Sequence, residues 1–197
     1  EYSNSLVIHD NHVLDHEYGF KLYQCNSAQV TSNEMIKPTS SMFGESVRNF
    51  IYNYNSSSTL IEDNVFSIED GNRGQRHWDA LIVSHQSVIR NNTYIVDTPS
   101  MLNGSSFIIY ANESVISGNT STVINKGHQD YVFLRTTGSE NNRSVVENNI
   151  INITSNGYGR YDYNTDWNGI ISLHGYTDCI NNTVNYSTFH TTSWREH

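Results

Sequence analysis

The sequence predicts an all-β fold, a parallel β-helix built as a single-stranded solenoid of about six to seven rungs, with lateral loops and almost no helix. Three observations carry this prediction. A short unit recurs from one end of the chain to the other, the apolar runs around it are too short for helices, and the residues that break those runs are Asn, Gly and Ser.

The unit reads as two apolar residues, two polar residues and an Asn. It occurs at Val7 to Asn11, Leu60 to Asn64, Val88 to Asn92, Val115 to Asn119 and Val145 to Asn149, and weaker copies end at Asn33 and Asn182. Repeats at intervals of a few tens of residues are the mark of a solenoid. A leading run precedes most copies, as in Phe20-Lys21-Leu22, Phe50-Ile51-Tyr52, Phe107-Ile108-Ile109 and Val132-Phe133-Leu134. A trailing run follows, as in Val65-Phe66-Ser67-Ile68 and Tyr94-Ile95-Val96. Each rung then holds three short strands, and each strand stacks parallel on its own earlier copy. The Asn is expected at a corner, in the left-handed conformation a tight bend demands, with its amide bonded to the Asn of the neighbouring rungs.

The composition agrees with a thin apolar interior. Hydrophobic residues make up 36% of the 197 and charged residues 16%, both below the averages of globular domains. One unbroken repeat implies one domain over residues 1–197. The repeat starts and stops without distinct caps, so the chain reads as a fragment of something longer. A formal net charge of −9 with no basic cluster argues against nucleic acid and anionic membrane surfaces as partners. No apolar stretch reaches the length of a membrane span. Cys25 and Cys179 fall about five rungs apart, beyond disulfide reach, and are expected to be two buried free thiols. Nine Asn-x-Ser/Thr triplets, at Asn55, Asn91, Asn103, Asn112, Asn119, Asn142, Asn152, Asn181 and Asn185, read as by-products of this composition.

Units such as Val88 to Asn92 and Val145 to Asn149, each followed by a second apolar strand, resemble the right-handed parallel β-helix superfamily of pectate-lyase-like proteins. Within it, the richness in Asn, Ser and Tyr and the long lateral loops are most similar to bacteriophage tailspikes and appendage proteins. The resemblance implies a right-handed coil, a homotrimer, a place on a virion tail or outside the cell, and a polysaccharide or teichoic-acid-like partner. Self-association would also cover Met42, Phe43 and Tyr94, which are expected to be exposed. The superfamily includes lyases, hydrolases, epimerases and non-catalytic adhesins, and neither a polygalacturonase-type Asp-Asp pair nor an epimerase-type Asp-Pro-His is present to choose among them.

Individuality is confined to the insertions between a trailing strand and the next leading strand: Lys37 to Asn49, Glu69 to Asp79, Asp97 to Ser106, Asn125 to Tyr131 and Ser155 to Gly169. They leave one corner and should form a wall. Arg73, Arg76, Trp78, Arg160, Tyr163 and Trp167 are candidate substrate contacts, because rings stack on apolar sugar faces while guanidinium groups bond hydroxyls and acidic substituents. His-x-Asp occurs twice just before a leading strand, at His77-Trp78-Asp79 and His128-Gln129-Asp130, and Asp166 holds a similar place one rung further on. Stacking at about 4.8 Å would put Asp79 and Asp130 roughly 9 to 10 Å apart and Asp130 and Asp166 about 5 Å apart. Those separations match inverting and retaining glycoside hydrolases respectively, so the expected activity is glycan depolymerisation with these carboxylates as acid and base. The same residues also suit turns, in which case the protein only grips glycan. No cofactor is expected, and a divalent cation on the same His and Asp residues is the weaker alternative. Tyr54, His85 and His174, at the ends of leading strands, are held in reserve, and Glu45 with Arg48 in a loop reads as a local salt bridge.

Overall fold

The computed structural model describes residues 5–14, 18–37, 49–69, 80–98, 106–125, 131–155 and 170–188. Every regular element among them is a strand. Taken in successive groups of three they are β1 (Val7–His9), β2 (His12–Leu14) and β3 (Tyr18–Tyr23); β4 (Gln29–Thr31), β5 (Glu34–Lys37) and β6 (Asn49–Tyr54); β7 (Thr59–Glu62), β8 (Val65–Glu69) and β9 (Ala80–His85). They continue as β10 (Ser87–Arg90), β11 (Thr93–Thr98) and β12 (Ser106–Asn112); β13 (Val115–Ser117), β14 (Thr120–Asn125) and β15 (Tyr131–Gly138); β16 (Ser144–Glu147), β17 (Ile150–Ser155) and β18 (Ile171–Gly175); and lastly β19 (Thr177–Ile180) and β20 (Thr183–Thr188).

Each strand pairs in parallel with the strand three places away, so the described residues form three sheets of seven, seven and six strands. The first sheet runs from β1 to β19, the second from β2 to β20 and the third from β3 to β18. This is the parallel solenoid that the repeat predicts. The long connections all lie between the second and third sheets, at the corner where the sequence places its insertions.

In the first sheet the two apolar residues of the unit face opposite ways. Ile89, Ile116 and Val146 are fully buried, whereas Val88, Val115 and Val145 are half-buried on the outer face. The third sheet departs from simple alternation. Its register skips from Phe107↔Val132 to Ile109↔Leu134, and two successive residues, Ile108-Ile109 and Phe133-Leu134, are both buried. That explains why the leading runs read as unbroken apolar stretches. Burying each such side chain contributes about 1.5–3 kcal/mol.

The interior column of the second sheet mixes sizes. Phe66 stacks on Phe50 at 5.6 Å and on Tyr94 at 5.1 Å, and Phe133 from the third sheet meets Tyr94 edge-on at 6.2 Å. Ser121, the register partner of Tyr94, is small enough to leave Phe133 that space. Tyr94 is therefore core, with 0% exposure, and not the exposed ring that the sequence suggests. The strand Thr93-Tyr94-Ile95-Val96 is apolar in both phases, so pattern alone cannot tell its inner face from its outer one.

The Asn residues form one continuous ladder at the corner between the first and second sheets. Asn11, Asn33, Asn64, Asn92, Asn119 and Asn149 each donate from Nδ2 to Oδ1 of the next, over 2.8 to 3.1 Å, and the series ends on Asn182. The same Oδ1 also accepts the preceding Asn's backbone N–H, at 2.9 Å for Asn33 to Asn64 and 3.0 Å for Asn64 to Asn92. The copies at Asn33 and Asn182, weak in sequence, are full members. The left-handed conformation falls elsewhere than expected: it belongs to the residue before each ladder Asn, at Asp10, Ser32, Asp63, Asn91, Gly118, Asn148 and Asn181. The bend must precede the Asn for its side chain to turn inward and run along the axis.

A second ladder, of hydroxyls, holds the corner between the third and first sheets. Ser56, Ser87 and Ser114 each donate Oγ–H to the carbonyl two residues back. Ser56, Ser114 and Ser144 accept a backbone N–H from the rung before, from Cys25, Ser87 and Ser114 in turn. Cys25 is buried in line with these serines. Cys179 is free as well but exposed, which corrects the expectation of two buried thiols.

Candidate functional site

Among the described residues, ring-bearing and titratable side chains gather on the outer face of the third sheet and along the corner beside it. Alternation along its strands points Ile51, Ile82, Ile109 and Leu134 inward and Tyr52, Val83, Tyr110 and Arg135 outward. Two residues further along, Tyr54, His85, Asn112 and Thr137 also face out. Tyr23 and Tyr54 are register partners, 60% and 47% exposed, with rings 5.7 Å apart and 12° from parallel. Tyr52 lies beside Tyr54 at 6.2 Å. Arg135 sits over the Tyr110 ring at 5.5 Å.

Parallel stacking sets what such a column can offer. Tyr54 is covered face-on by Tyr23 and presents mainly its edge and hydroxyl. Among the described residues, no other strand of that sheet lies on the ring face of Tyr23 turned away from Tyr54. The face thus combines two exposed, stacked tyrosine rings, a row of phenol and imidazole hydrogen-bonding edges, and a guanidinium.

At the adjoining corner Glu113 adopts the left-handed conformation, with φ of 50°, and Gln86 does so one rung earlier, with φ of 47°. The Glu113 carboxylate accepts Gln86 Nε2 at 2.9 Å and Asn142 Nδ2 at 3.2 Å, and His85 Nε2 stands 3.8 Å away. The hydrogen bond from Gln86, followed by those from Ser139 and Asn142, holds its pKa below the usual glutamate range, and the charge of His85 adds to the effect. A carboxylate so fixed is a poor proton donor and a good anchor for ligand hydroxyls or for a protonated imidazole. Further along, Arg143 makes a two-pronged pair with Asp178, at 2.6 and 3.0 Å, and lies 6.0 Å from the Tyr176 ring centre. No group of three or more His, Cys, Asp or Glu among the described residues could hold a metal ion.

The residues that the sequence nominates, His77, Asp79, His128, Asp130 and Asp166 for catalysis and Arg73, Arg76, Trp78, Arg160, Tyr163 and Trp167 for substrate, lie outside the described residues, as do Met42, Phe43, Glu45 and Arg48. The strands that follow them are placed. β9, β15 and β18 belong to one sheet, with β12 between β9 and β15, and β18 beside β15. Of the reserve residues, His85 and Tyr54 close β9 and β6 on the face just described, and His174 bonds Ser172 at 3.1 Å on β18. Glu113 and Tyr23 were not singled out from sequence. A signal for Tyr23 exists, since Tyr precedes the same corner in Tyr23-Gln24-Cys25 and Tyr54-Asn55-Ser56. Compared with known proteins, the chain matches no family model, and no curated protein and no solved structure is significantly similar to it.

Proposed function

We propose that this protein binds a cell-surface glycan along the outer face of its third sheet, as part of a phage tailspike-like or other extracellular appendage. The observation that carries the reading is the exposed Tyr23–Tyr54 column with His85 beside it, on the sheet into which the Trp- and Arg-containing insertions lead. A sugar ring stacks its apolar face on Tyr23 while its hydroxyls meet the phenol, imidazole and amide edges along the column. In finer detail the reading is a right-handed, pectate-lyase-like coil, the hand that parallel crossovers overwhelmingly adopt. Six to seven rungs suit sheets of six and seven strands, and the assembled form is a homotrimer.

The test is retention of host capsule, wall teichoic acid and neutral polysaccharides on immobilised protein. Tyr23→Ala and Tyr54→Ala together should weaken retention at least tenfold with little change in melting temperature. Retention of no polymer, or unchanged retention by the double variant, would overturn the assignment. Cleavage is the second reading, favoured by the placing of β9 and β15 two strands apart in one sheet, which keeps the inverting separation open for Asp79 and Asp130. Release of reducing ends that Asp130→Asn abolishes, with binding retained, would establish it; binding without release leaves an adhesin.

A further inference from the structure

The three sheets divide the charge of the chain unequally. The strands of the first include Glu62, Arg90, Glu147 and Asp178, and those of the second Glu34, Lys37, Glu69 and Asp97. No strand of the third contains Asp or Glu; what these strands do contain is Lys21, His85, Arg135 and His174. In a chain of net charge −9, this is the one sheet whose described strands carry basic groups alone. Three of these groups stand on alternate strands. Register links Lys21 to Tyr52, Tyr52 to Val83, Val83 to Tyr110 and Tyr110 to Arg135, a single column from β3 to β15. His85 lies two residues beyond Val83 on the middle strand, β9. Lys21 and His85 are exposed, and Arg135 is half-buried over the Tyr110 ring. Basic groups thus recur every second strand, about 10 Å apart along the axis, with Tyr52 and Tyr110 on the strands between. His174 follows beside Arg135 on β18. Glu113 and Glu140 come only past the ends of β12 and β15, at the corner, and the Glu113 carboxylate is taken up by Gln86 and Asn142.

Resting on the glycan reading above, we infer that the polymer bound here is acidic, with one carboxylate or phosphate on every second sugar, and that it lies along the axis from Lys21 to Arg135. Either anion accepts charge-assisted hydrogen bonds from ammonium, imidazole and guanidinium donors. A sugar unit in an extended polymer advances by about the height of one rung. A two-sugar repeat therefore brings its charge over a basic strand each time and its neutral sugar over a tyrosine. A charge on every sugar would set half of the charges over Tyr52 and Tyr110, and a neutral polymer would cover the cations with nothing to replace their water. The net charge of the chain does not oppose this. Screening limits the reach of exposed charges to about 8 Å in physiological salt, so an approaching polymer meets the sign of the sheet and not that of the chain.

The experiment is retention, on the immobilised full chain, of hyaluronan, which carries one carboxylate per two sugars, and of a capsular polymer with one phosphodiester per two sugars. Hyaluronan with its carboxylates reduced to alcohols, polygalacturonate, dextran and single-stranded DNA are the comparisons. At least one of the two alternating polymers should be held about tenfold more tightly than reduced hyaluronan and dextran, and more tightly than polygalacturonate; which one it is tells carboxylate from phosphate. Lys21→Gln and Arg135→Gln should each weaken that retention about tenfold with circular dichroism unchanged, whereas Arg90→Gln, the same loss of charge on the first sheet, should not. Should Arg135→Gln fail to fold, Lys21→Gln decides alone. Equal retention of dextran, or indifference to both third-sheet variants, would overturn the acidic ligand and leave glycan binding standing. Polygalacturonate held as tightly as the alternating polymers would overturn the two-sugar spacing, and DNA held as tightly would overturn the sugar. Retention of no polymer would overturn the glycan reading and this inference together.

Discussion

Asn92, at the corner just ahead of β11, and Tyr94, two residues on in that strand, show opposite outcomes for a buried polar group. Asn92 is 0% exposed, yet its amide is fully used: Nδ2 reaches Asn119 Oδ1, Ile61 O and Arg90 O, while Oδ1 accepts from Asn64. Tyr94 is equally buried, but its hydroxyl meets no hydrogen-bond partner among the described residues, and burial pushes its pKa well up. Each buried group left unpaired costs about 1–3 kcal/mol. Asn92→Ala takes the acceptor from the Asn64 backbone N–H and a donor from the Ile61 and Arg90 carbonyls, and should lower stability by about 1–3 kcal/mol. Tyr94→Phe removes an unpaired hydroxyl without changing shape and should raise stability by about 1 kcal/mol. Urea midpoints of the two variants check the pair, and shifts of the same sign would contradict this account. Glu113 supplies a pH dependence at the same scale. Its carboxyl is lowered in the folded state, so the folded protein binds that proton more weakly than the unfolded chain. The stabilisation is present above the ordinary glutamate value of about 4.3 and is lost as pH falls through the lower folded value. Asp178, lowered by its hydrogen bond to Arg143, acts in the same direction. Melting temperature followed into acid should therefore fall more gently in Glu113→Gln than in the wild type, and parallel curves would show that Glu113 plays no part.

Strands and corners divide what the sequence displays from what it conceals. Strand positions are legible because every rung repeats the same burial problem, and the Asn is legible because one amide must serve two rungs. The serine ladder is equally regular, with Ser87, Ser114 and Ser144 each directly preceding an apolar pair, but Ser is so common here that the column hides among its neighbours. The bend before each ladder Asn is filled by Asp, Ser, Asn or Gly, and their shared tolerance of the left-handed region leaves little to distinguish that position from the next. The proposed glycan face is half legible. Tyr54 and His85 end strands whose existence is plain, whereas the tight hold on Glu113 comes from Gln86, Ser139 and Asn142, drawn from the rungs before and after it. The insertions do not repeat, so their individual roles cannot be read from spacing.

Over the whole molecule, each rung touches only the rung before and the rung after, so stability is close to a sum of neighbour terms. The outermost rungs are also the most exposed: the inward positions Val184 and Tyr186 at one end are 41% and 56% exposed and Ile8 and Val13 at the other are half-buried, while Ile89, Ile116 and Val123 in the middle are sealed. Amide hydrogen exchange should therefore be fastest in β1–β3 and β18–β20 and slowest around β10–β14, a gradient that uniform protection along the chain would disprove. The Asn ladder adds a constraint of another kind. Each amide gives to the side chain ahead and receives from the one behind, so the row has a direction and every member is interchangeable with the next. Remove part of a rung and two neighbours lose their partners; remove a whole one and the two loose ends fit each other. The length of such a molecule is counted in whole turns, as a chain is counted in links, and the loops between the second and third sheets are left free to vary by single residues without disturbing the count.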